Sequence, residues 1–232
     1  MATLKSVGTG DRSLAEKVAD QITQLIIDDA YSIGAKLPNE FALAEKLGVG
    51  RSTIREAIKS LCSQNILEIR HGAGTFVAEN VGEVEDPLGF RFVRNKKKLA
   101  LDLCQIRLFI EPELAAVAAA NASNDEIEAI QQLAREVEKV YESGKNHTQM
   151  DIALHTRIAT ASGNLIAPKL IGIVGTSIPL FINLTKRLLK QETIKTHAQV
   201  VDAIARHNPR QAKQAMARHI IFNQERLEAM PE

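Results

Sequence analysis

The sequence contains no tryptophan, and aromatic side chains make up only 4% of its 232 residues. Aromatic residues supply much of the packing in many protein cores. Their scarcity indicates a core of aliphatic and alanine side chains, which is typical of packed helices. Hydrophobic residues reach 45% and charged residues 25%, as in ordinary globular proteins. A chain of this length can form two modest domains.

Cysteine is also scarce. Cys62 and Cys104 are the only two, and they form no C-x-x-C pair. A disulfide between them stays open, but two buried free thiols in a reducing compartment are the favoured interpretation. The N-terminal MATLKSVGTGDRS lacks an apolar signal segment, and no run approaches the ~20 apolar residues that span a bilayer. We therefore expect a cytoplasmic protein with no membrane partner.

The chain also has no large excess of positive or negative charge. Lys and Arg total 29 against 28 Asp and Glu, which gives a formal net charge of +1 at pH 7. The overall charge therefore gives no indication of a nucleic-acid partner. A DNA-binding surface would have to come from the local placement of basic residues.

Such a placement occurs between residues 37 and 77. A first helical pattern is interrupted at residues 48–50, GVG, because glycine in a helix interior costs about 1 kcal/mol relative to alanine. A second helix is predicted from Arg51 onwards. Its apolar residues recur at helical spacing, namely Ile54, Ala57, Ile58 and Leu61. This helix should pack one side against a core.

The other side of the second helix is basic. Arg51, Arg55 and Lys59 follow one another at i, i+4 and i+8, so they share one face. A helix that is apolar on one side and basic on another, and that follows a tight turn, suits the major groove of DNA. The alternative is a basic face that is merely solvated, and the pattern alone leaves it open.

A hairpin is predicted directly after this helix. Residues 66–70 and 75–77 have the pattern of short strands, and residues 71–74, HGAG, have that of a turn. Glycine has no Cβ, so the turn backbone can pass close to phosphates. Together with a helix predicted over residues 13–29, these elements predict a winged helix-turn-helix whose wing is the hairpin.

The chain beyond the hairpin changes character. We predict a DNA-binding domain over residues 1–78, an acidic linker over 79–96 and an all-α helical bundle over 97–232. The fold class is therefore mainly α. The predicted bundle helices cover residues 99–120, 125–141, 148–162, 166–190, 192–206 and 209–230. Pro179 should kink the fourth of these.

Histidines concentrate in the predicted bundle. Asp151 and His155 are spaced i, i+4 and share a helix face, whereas His197 and His219 lie on the last two helices. If the bundle brings these four together, they form a three-nitrogen, one-oxygen site for a divalent metal ion. Zinc is the expected ion, with nickel or manganese as alternatives. Ordinary buried histidines are the competing interpretation.

Four further polar residues of the bundle carry predictions. Arg107 either forms a salt bridge with Glu111 at i+4 or clamps the carboxylate of an effector. His147 and His207 are expected on the surface. Asn164 follows a helix and is expected to cap its C-terminus.

The N-terminal motifs resemble a known signature. LPNEFALAEKLGVGRSTIREAI followed by HGAGTFV is similar to the GntR family of bacterial transcription regulators over residues 12–78. The resemblance implies that Arg51 and Arg55 contact DNA and that His71 and Gly72 enter the minor groove. We assign eight residues to this surface: Arg51, Ser52, Thr53, Arg55, Arg70, His71, Gly72 and Gly74. One departure is Phe41, which stands where the family usually has a DNA-contacting arginine.

The C-terminal motifs resemble a ligand-binding domain of the same family. DIALH, HAQVVDAI and AKQAMARH are similar to motifs of the FCD domain, found in the FadR-like branch, over residues 99–228. The resemblance implies metal ligation by Asp151, His155, His197 and His219, and effector binding by Arg107.

These observations predict a function. We expect a transcription regulator, not an enzyme, that binds a near-palindromic operator as a homodimer. Its effector would be a small organic or sugar acid at the metal site. The sequence does not determine whether it is a repressor or an activator. The alternatives are a metal-dependent hydrolase that carries a winged-helix domain, and a purely structural metal site.

Overall fold

The computed structural model of the chain describes residues 12–28, 30–79, 81–82, 86–143, 147–175 and 190–230. They form two compact units, Met1–Pro87 and Leu88–Glu232. The predicted linker over 79–96 stays a prediction, because part of it lies outside the described residues.

The first unit is a winged helix-turn-helix, as the sequence predicts. Its elements are α1 (Leu14–Ile27), α2 (Glu40–Leu47), α3 (Arg51–Ser63), β1 (Leu67–Arg70) and β2 (Gly74–Val77). The strands pair antiparallel, with Leu67 opposite Val77 and Arg70 opposite Gly74. A single apolar cluster joins the three helices to the base of this hairpin.

Local sequence signals determine where these helices begin and end. Ser13 forms a capping box with Glu16, in which each side chain accepts a hydrogen bond from the other residue's backbone N–H. Asn39 accepts a hydrogen bond from the Ala42 N–H at the start of α2. Gly48 ends α2 in the left-handed conformation, at φ 64°, which glycine adopts without the steric cost of a Cβ. The turn between α2 and α3 therefore follows from its glycines.

The second unit is an all-α bundle. After a short 3₁₀ helix at Phe90–Phe92, its helices are α4 (Lys96–Asn121), α5 (Asn124–Glu142), α6 (Thr148–Ala161), α7 (Ala167–Val174), α8 (Lys190–Ala205) and α9 (Pro209–Glu228). The main core is aliphatic and rich in alanine, as the composition predicts. The mainly α fold class is confirmed.

The predicted helix over residues 166–190 is wrong in one respect. Helix α7 ends at Val174, and Gly175 forms its C-cap. Chain beyond this point, including Pro179, lies outside the described residues until α8 begins. Continuous hydrophobicity predicts one long helix, and an apolar pattern carries no signal for an end at Gly175.

The sequence of α4 predicts an apolar stripe through Leu99, Leu103, Ile106 and Ile110, and the buried face of the helix differs from it. Leu99 and Leu103 are buried, but Ile106 is 41% exposed. Arg107 and Glu111 instead face the core and are each 3% exposed. Two opposite charges can lie there because they pair with each other.

Two smaller expectations concern the membrane and the thiols. Within the described residues, no helix is both long enough and apolar enough to cross a bilayer. Cys62 and Cys104 are free, and only Cys104 is fully buried.

Candidate functional site

Three helices of the bundle bring three histidines together. His155 lies on α6, His197 on α8 and His219 on α9, and all three are buried. One ring nitrogen from each lies within 4.8 Å of the others. The ring centroids of His197 and His219 are 4.5 Å apart, and those of His155 and His219 are 5.2 Å apart. This spacing suits three nitrogens around one metal ion.

Asp151 lies beside this cluster, next to one of its three histidines. It lies one turn before His155 on α6 and is 5% exposed. Its Oδ1 is 3.5 Å from Nε2 of His197. Neither this oxygen nor either ring nitrogen of His197 has a hydrogen-bond partner among the described residues. Buried polar atoms without partners cost about 1–3 kcal/mol each, and a bound cation would satisfy Asp151 Oδ1 and one of the two His197 nitrogens.

The other two imidazoles are held by neighbours through Nδ1. His155 Nδ1 lies 2.5 Å from Glu111 Oε2. His219 Nδ1 lies 2.9 Å from the Thr196 hydroxyl, which itself donates to the carbonyl of Glu192. The carboxylate and the hydroxyl oxygen therefore accept from the Nδ1–H groups. In this tautomer each Nε2 carries the lone pair that a metal ion would need. That lone pair now faces Arg107 Nη2 at 3.3 Å in His155 and Asn223 Nδ2 at 3.4 Å in His219.

Burial keeps two of the imidazoles neutral. It lowers the pKa of His197 to about 4, although the Asp151 charge opposes this. Burial, followed by His197 and His155, lowers the pKa of His219 well below its ordinary value. Metal ions bind the neutral form of histidine, so the cluster is ready to bind a cation at neutral pH.

Arg107 and Glu111 form a buried ion pair beside the cluster. Arg107 Nε donates to Glu111 Oε1 at 2.5 Å, and Arg107 Nη2 lies 3.2 Å from Nδ1 of His155. Burial alone would raise the pKa of Glu111, but Arg107 and His155 outweigh it and lower the pKa to about 2. The salt bridge that the sequence left as an alternative is therefore present, and effector binding by Arg107 stays a prediction.

Tyr141 extends the cluster towards α5. Its hydroxyl is hydrogen-bonded to Asp151 and to Thr193. Burial, followed by the Asp151 charge, raises the pKa of this phenol, so the hydroxyl keeps its proton. The ring of His147 stacks on that of Tyr141, with centroids 3.6 Å apart.

Two minor expectations about polar residues are wrong. His147, expected on the surface, is only 4% exposed, because the end of α5 covers it with the Tyr141 ring. Asn164 does not cap α6. Its side chain accepts hydrogen bonds from the N–H groups of Ile166 and Ala167, at the start of α7. His207 is exposed, as expected.

Several supporting residues carry no sequence motif that identifies them. They are Glu111, Tyr141, Thr193, Thr196 and Asn223. Asn223 is 6% exposed and lies one turn after His219. Only Glu111 had a sequence signal, its i+4 spacing from Arg107. The other contacts arise from packing between helices.

In the winged unit, the predicted DNA-binding residues of α3 occupy its first turns. Arg51, Ser52 and Arg55 are exposed and Thr53 is half-buried. The opposite face is buried through Ile54, Ala57, Ile58 and Leu61. Helix α3 therefore presents polar side chains on the side away from its core.

Arg55 has a partner that sequence reasoning missed. Its Nη2 donates to Glu40 Oε2 at 2.7 Å, and its Nε lies 3.1 Å from the same oxygen. The hydrogen bond from Arg55 lowers the pKa of Glu40. Glu40 begins α2, so the pair joins the two helices of the helix-turn-helix. Phe41, the next residue, is 65% exposed and is not a core residue of this unit.

The wing presents its predicted residues at its tip. Arg70, His71, Gly72 and Gly74 are all exposed. The Arg70 guanidinium lies 4.4 Å from the centre of the Phe76 ring. Gly74 has φ 123°, and a Cβ there would lie 2.9 Å from Lys36 Cε. Only glycine fits this position without strain.

Comparison with known families is decisive. The family described as "Bacterial regulatory proteins, gntR family" matches residues 14–77. The FCD domain matches residues 102–222, which is more than half of the chain. The chain belongs to the GntR family. It combines the family's DNA-binding domain with an FCD domain.

Similar GntR-family proteins cover nearly the whole chain. The Uxu operon transcriptional regulator of Escherichia coli K12 is 30% identical over 236 residues, covering 97% of this chain and 90% of that protein. LutR of Bacillus subtilis 168 is 27% identical, covering 81% of this chain and 89% of that protein. A solved GntR structure from Streptococcus agalactiae is 37% identical with a TM-score of 0.81, and covers 93% of this chain and 100% of that one.

These similarities establish the general activity. The chain is a GntR-family transcription regulator, and DNA binding follows from its N-terminal domain. The matched domains and relatives are those of regulators, not enzymes. The hydrolase alternative is therefore set aside.

Proposed function

We propose that this GntR-family protein is a metabolite-responsive regulator that binds a near-palindromic operator as a homodimer. A small organic or sugar acid would be its effector, bound at a divalent metal ion. The observation that carries this proposal is the convergence of three buried imidazoles, His155, His197 and His219, with the buried Asp151 carboxylate 3.5 Å from His197. Three imidazoles and a carboxylate with unpartnered atoms are costly in a core unless something binds them.

The donor set indicates the class of metal. Imidazole suits zinc, nickel, copper and iron, and a carboxylate broadens the choice to harder ions. We propose zinc, with nickel or manganese as alternatives. When bound, the ion would supply a positive centre that coordinates the oxygens of an acid. It would also tie α6, α8 and α9 together, because its ligands come from all three.

Local charge favours an anionic effector only when the metal is present. Arg107 is balanced by Glu111, which leaves Asp151 as the unbalanced charge of the cluster. Without a metal the site is negative and repels a carboxylate. A divalent cation makes it positive. Arg107 lies against His155, so it is the residue that would pair with the carboxylate of the acid.

The DNA-binding step would use both elements of the winged unit. We propose that the polar start of α3 enters the major groove through Arg51, Ser52, Thr53 and Arg55. The wing tip, Arg70 to Gly74, would reach the neighbouring minor groove. Two copies would read two half-sites, since a two-fold protein matches a near-palindromic operator.

Similarity does not set the direction of regulation. The relatives include the Glc operon transcriptional activator and the repressor NanR, both of Escherichia coli. The effector should therefore be identified by its effect on operator binding, with no assumption that the protein represses transcription.

One experiment in two stages tests the proposal. Purified protein would first be analysed for metal content, then screened by thermal shift against organic and sugar acids with and without EDTA. Fragments of the host genome that the protein retains would be sequenced to define the operator. We expect an acid that raises the melting temperature only with metal and that changes operator affinity. Light scattering should show a dimer.

The outcomes separate the alternatives. His207→Ala serves as a control, because His207 is exposed and lies outside the cluster. Metal that stabilises the protein, with no acid that alters melting or operator binding, would indicate a purely structural ion. A protein that binds no divalent metal after metal-free refolding and titration would overturn the proposed site.

A further inference from the structure

Tyr141 makes a specific contact with one of the proposed metal ligands. It lies near the end of α5 and is 7% exposed. Its hydroxyl is hydrogen-bonded to Asp151. Asp151 Oδ1 has no partner within the described part of the chain, so the bond from Tyr141 must reach Oδ2. The two oxygens of this carboxylate therefore differ, because Oδ2 accepts a hydrogen bond and Oδ1 accepts none from the described residues.

The direction of each hydrogen bond in this group follows from the available protons. An ionised carboxylate only accepts, so the Tyr141 hydroxyl donates its single proton to Asp151. The Thr193 hydroxyl, also bonded to Tyr141, must then donate to the phenol oxygen. Three groups from α5, α6 and α8 are thereby linked in one chain.

The ring that carries this hydroxyl is itself held in place. His147 stacks on it with ring centroids 3.6 Å apart and an interplanar angle of 25°. His147 is 4% exposed and directly precedes α6. A phenol fixed on its face by one residue and at its hydroxyl by two others has little freedom. It is therefore suited to orient the carboxylate that it contacts.

We propose that Tyr141 is a positioning residue that makes Asp151 a single-oxygen metal ligand. Oδ2 is held by the phenol, and Oδ1, which lies 3.5 Å from His197 Nε2, is presented to the ion. The inference rests on the proposed metal site. Hydrogen bonds to ligating groups fix their orientation and raise metal affinity. A carboxylate restricted to one oxygen also leaves a further coordination position for the effector.

Simple packing is the competing role, because Tyr141 also belongs to the main apolar cluster. The two roles depend on different atoms. Packing and the stack with His147 need the ring, whereas positioning needs the hydroxyl. Tyr141→Phe removes only the hydroxyl. The matched control is Tyr31→Phe, since Tyr31 is the other tyrosine of the chain and lies in the winged unit.

The first measurement is metal affinity of the full chain, determined by competition with a chromogenic chelator. We expect Tyr141→Phe to weaken Zn²⁺ and Co²⁺ binding about 10- to 100-fold and Tyr31→Phe to leave it unchanged. The second is the visible absorption spectrum of the Co²⁺ protein, which reports coordination geometry. It should change in Tyr141→Phe alone. A packing role would lower the melting temperature of the metal-free variant and leave affinity and spectrum as in the wild type.

A measurement on the wild type keeps the test decisive where Tyr141→Phe does not fold. In a crystal structure of the Co²⁺-loaded protein, Asp151 should bind the ion through Oδ1, with Oδ2 on the Tyr141 hydroxyl. Coordination through both oxygens, or unchanged affinity and spectrum in a folded variant, would overturn the positioning role. Absence of any metal binding in the wild type would instead overturn the proposed function on which it rests.

Discussion

Glu111 Oε2 lies 2.5 Å from Nδ1 of His155, inside the helical unit. The other oxygen of the same carboxylate accepts from Arg107. One buried group on α4 therefore joins the predicted effector-binding arginine to a predicted metal ligand on α6. The separation of 44 residues between Glu111 and His155 means that this link depends on how the helices pack.

The first prediction follows from this link. Glu111→Gln keeps the size of the side chain but removes its charge, so Arg107 becomes a buried cation without a counter-ion. Breaking a buried ion pair typically costs about 3–5 kcal/mol of folding stability. His155 also loses the carboxylate that orients it, which should weaken metal binding about 10- to 100-fold. Denaturant unfolding and chelator competition measure the two effects.

Its control lies on the same helix. Glu113 is exposed and pairs with Lys213 at the surface, so Glu113→Gln should change neither quantity by more than a few tenths of a kcal/mol, since exposed ion pairs contribute little. Equal metal affinity in Glu111→Gln and the wild type would contradict the orienting role of Glu111.

The second prediction concerns metal removal. An ion that binds only the folded form stabilises it by about 2.7 kcal/mol at a hundredfold excess over Kd. A chelator should therefore lower the melting temperature of the helical unit, and added Zn²⁺ should restore it. His197→Ala should lose most of this response, because both ring nitrogens of His197 are otherwise without partners among the described residues. Binding to generic DNA should persist, because the predicted DNA contacts lie in the other unit.

Elemental analysis beside melting curves makes the second test quantitative. His207→Ala, an exposed histidine close to α9, should keep the full metal content. The same metal content in His197→Ala and the wild type would identify these histidines as ordinary core residues.

The sequence predicts those parts of the molecule that depend on local pattern. The 3.6-residue period of apolar side chains predicts helix α3, and the residues that it places on the apolar face are the buried ones. The D-x-x-x-H spacing places Asp151 and His155 on one face by helix geometry alone. The convergence of His197 and His219 on them was expected from family resemblance and not from spacing.

Other parts of the site depend on packing between distant elements. The stack of His147 on Tyr141 requires α5 and α6 to meet at their junction, which no local period encodes. His147 matches no predicted ligand position and was expected on the surface, yet it is buried. The pairing of Glu40 with Arg55, 15 residues apart, likewise requires the geometry of the turn between α2 and α3.

The third prediction concerns that pair. Arg55→Ala should weaken specific DNA binding about tenfold to hundredfold, as expected when an arginine that reads a base is lost. Glu40→Gln keeps Arg55 but removes the carboxylate that orients it, so a smaller loss is expected. Fluorescence anisotropy with the selected operator and with a scrambled duplex measures both, and the ratio of the two affinities gives the specificity.

Arg206→Ala is the matched control for Arg55. Arg206 is an exposed arginine paired with Asp202 on a helix of the other unit. Its loss should leave operator affinity unchanged. Unchanged affinity in a folded Arg55→Ala protein would remove Arg55 from the DNA-binding surface.

The last prediction concerns Phe41, where the family usually has arginine. Phe41 is 65% exposed on α2, next to Glu40, so Phe41→Arg should cost little stability. A cation here should add one phosphate contact, raising affinity for generic DNA about fivefold and steepening the plot of log K against log salt by about 0.9. Phe92→Arg, at an 81% exposed phenylalanine of the helical unit, adds the same charge to the other unit and should leave the slope unchanged. If both variants steepen the slope equally, the gain comes from net charge, and position 41 makes no specific contact with DNA.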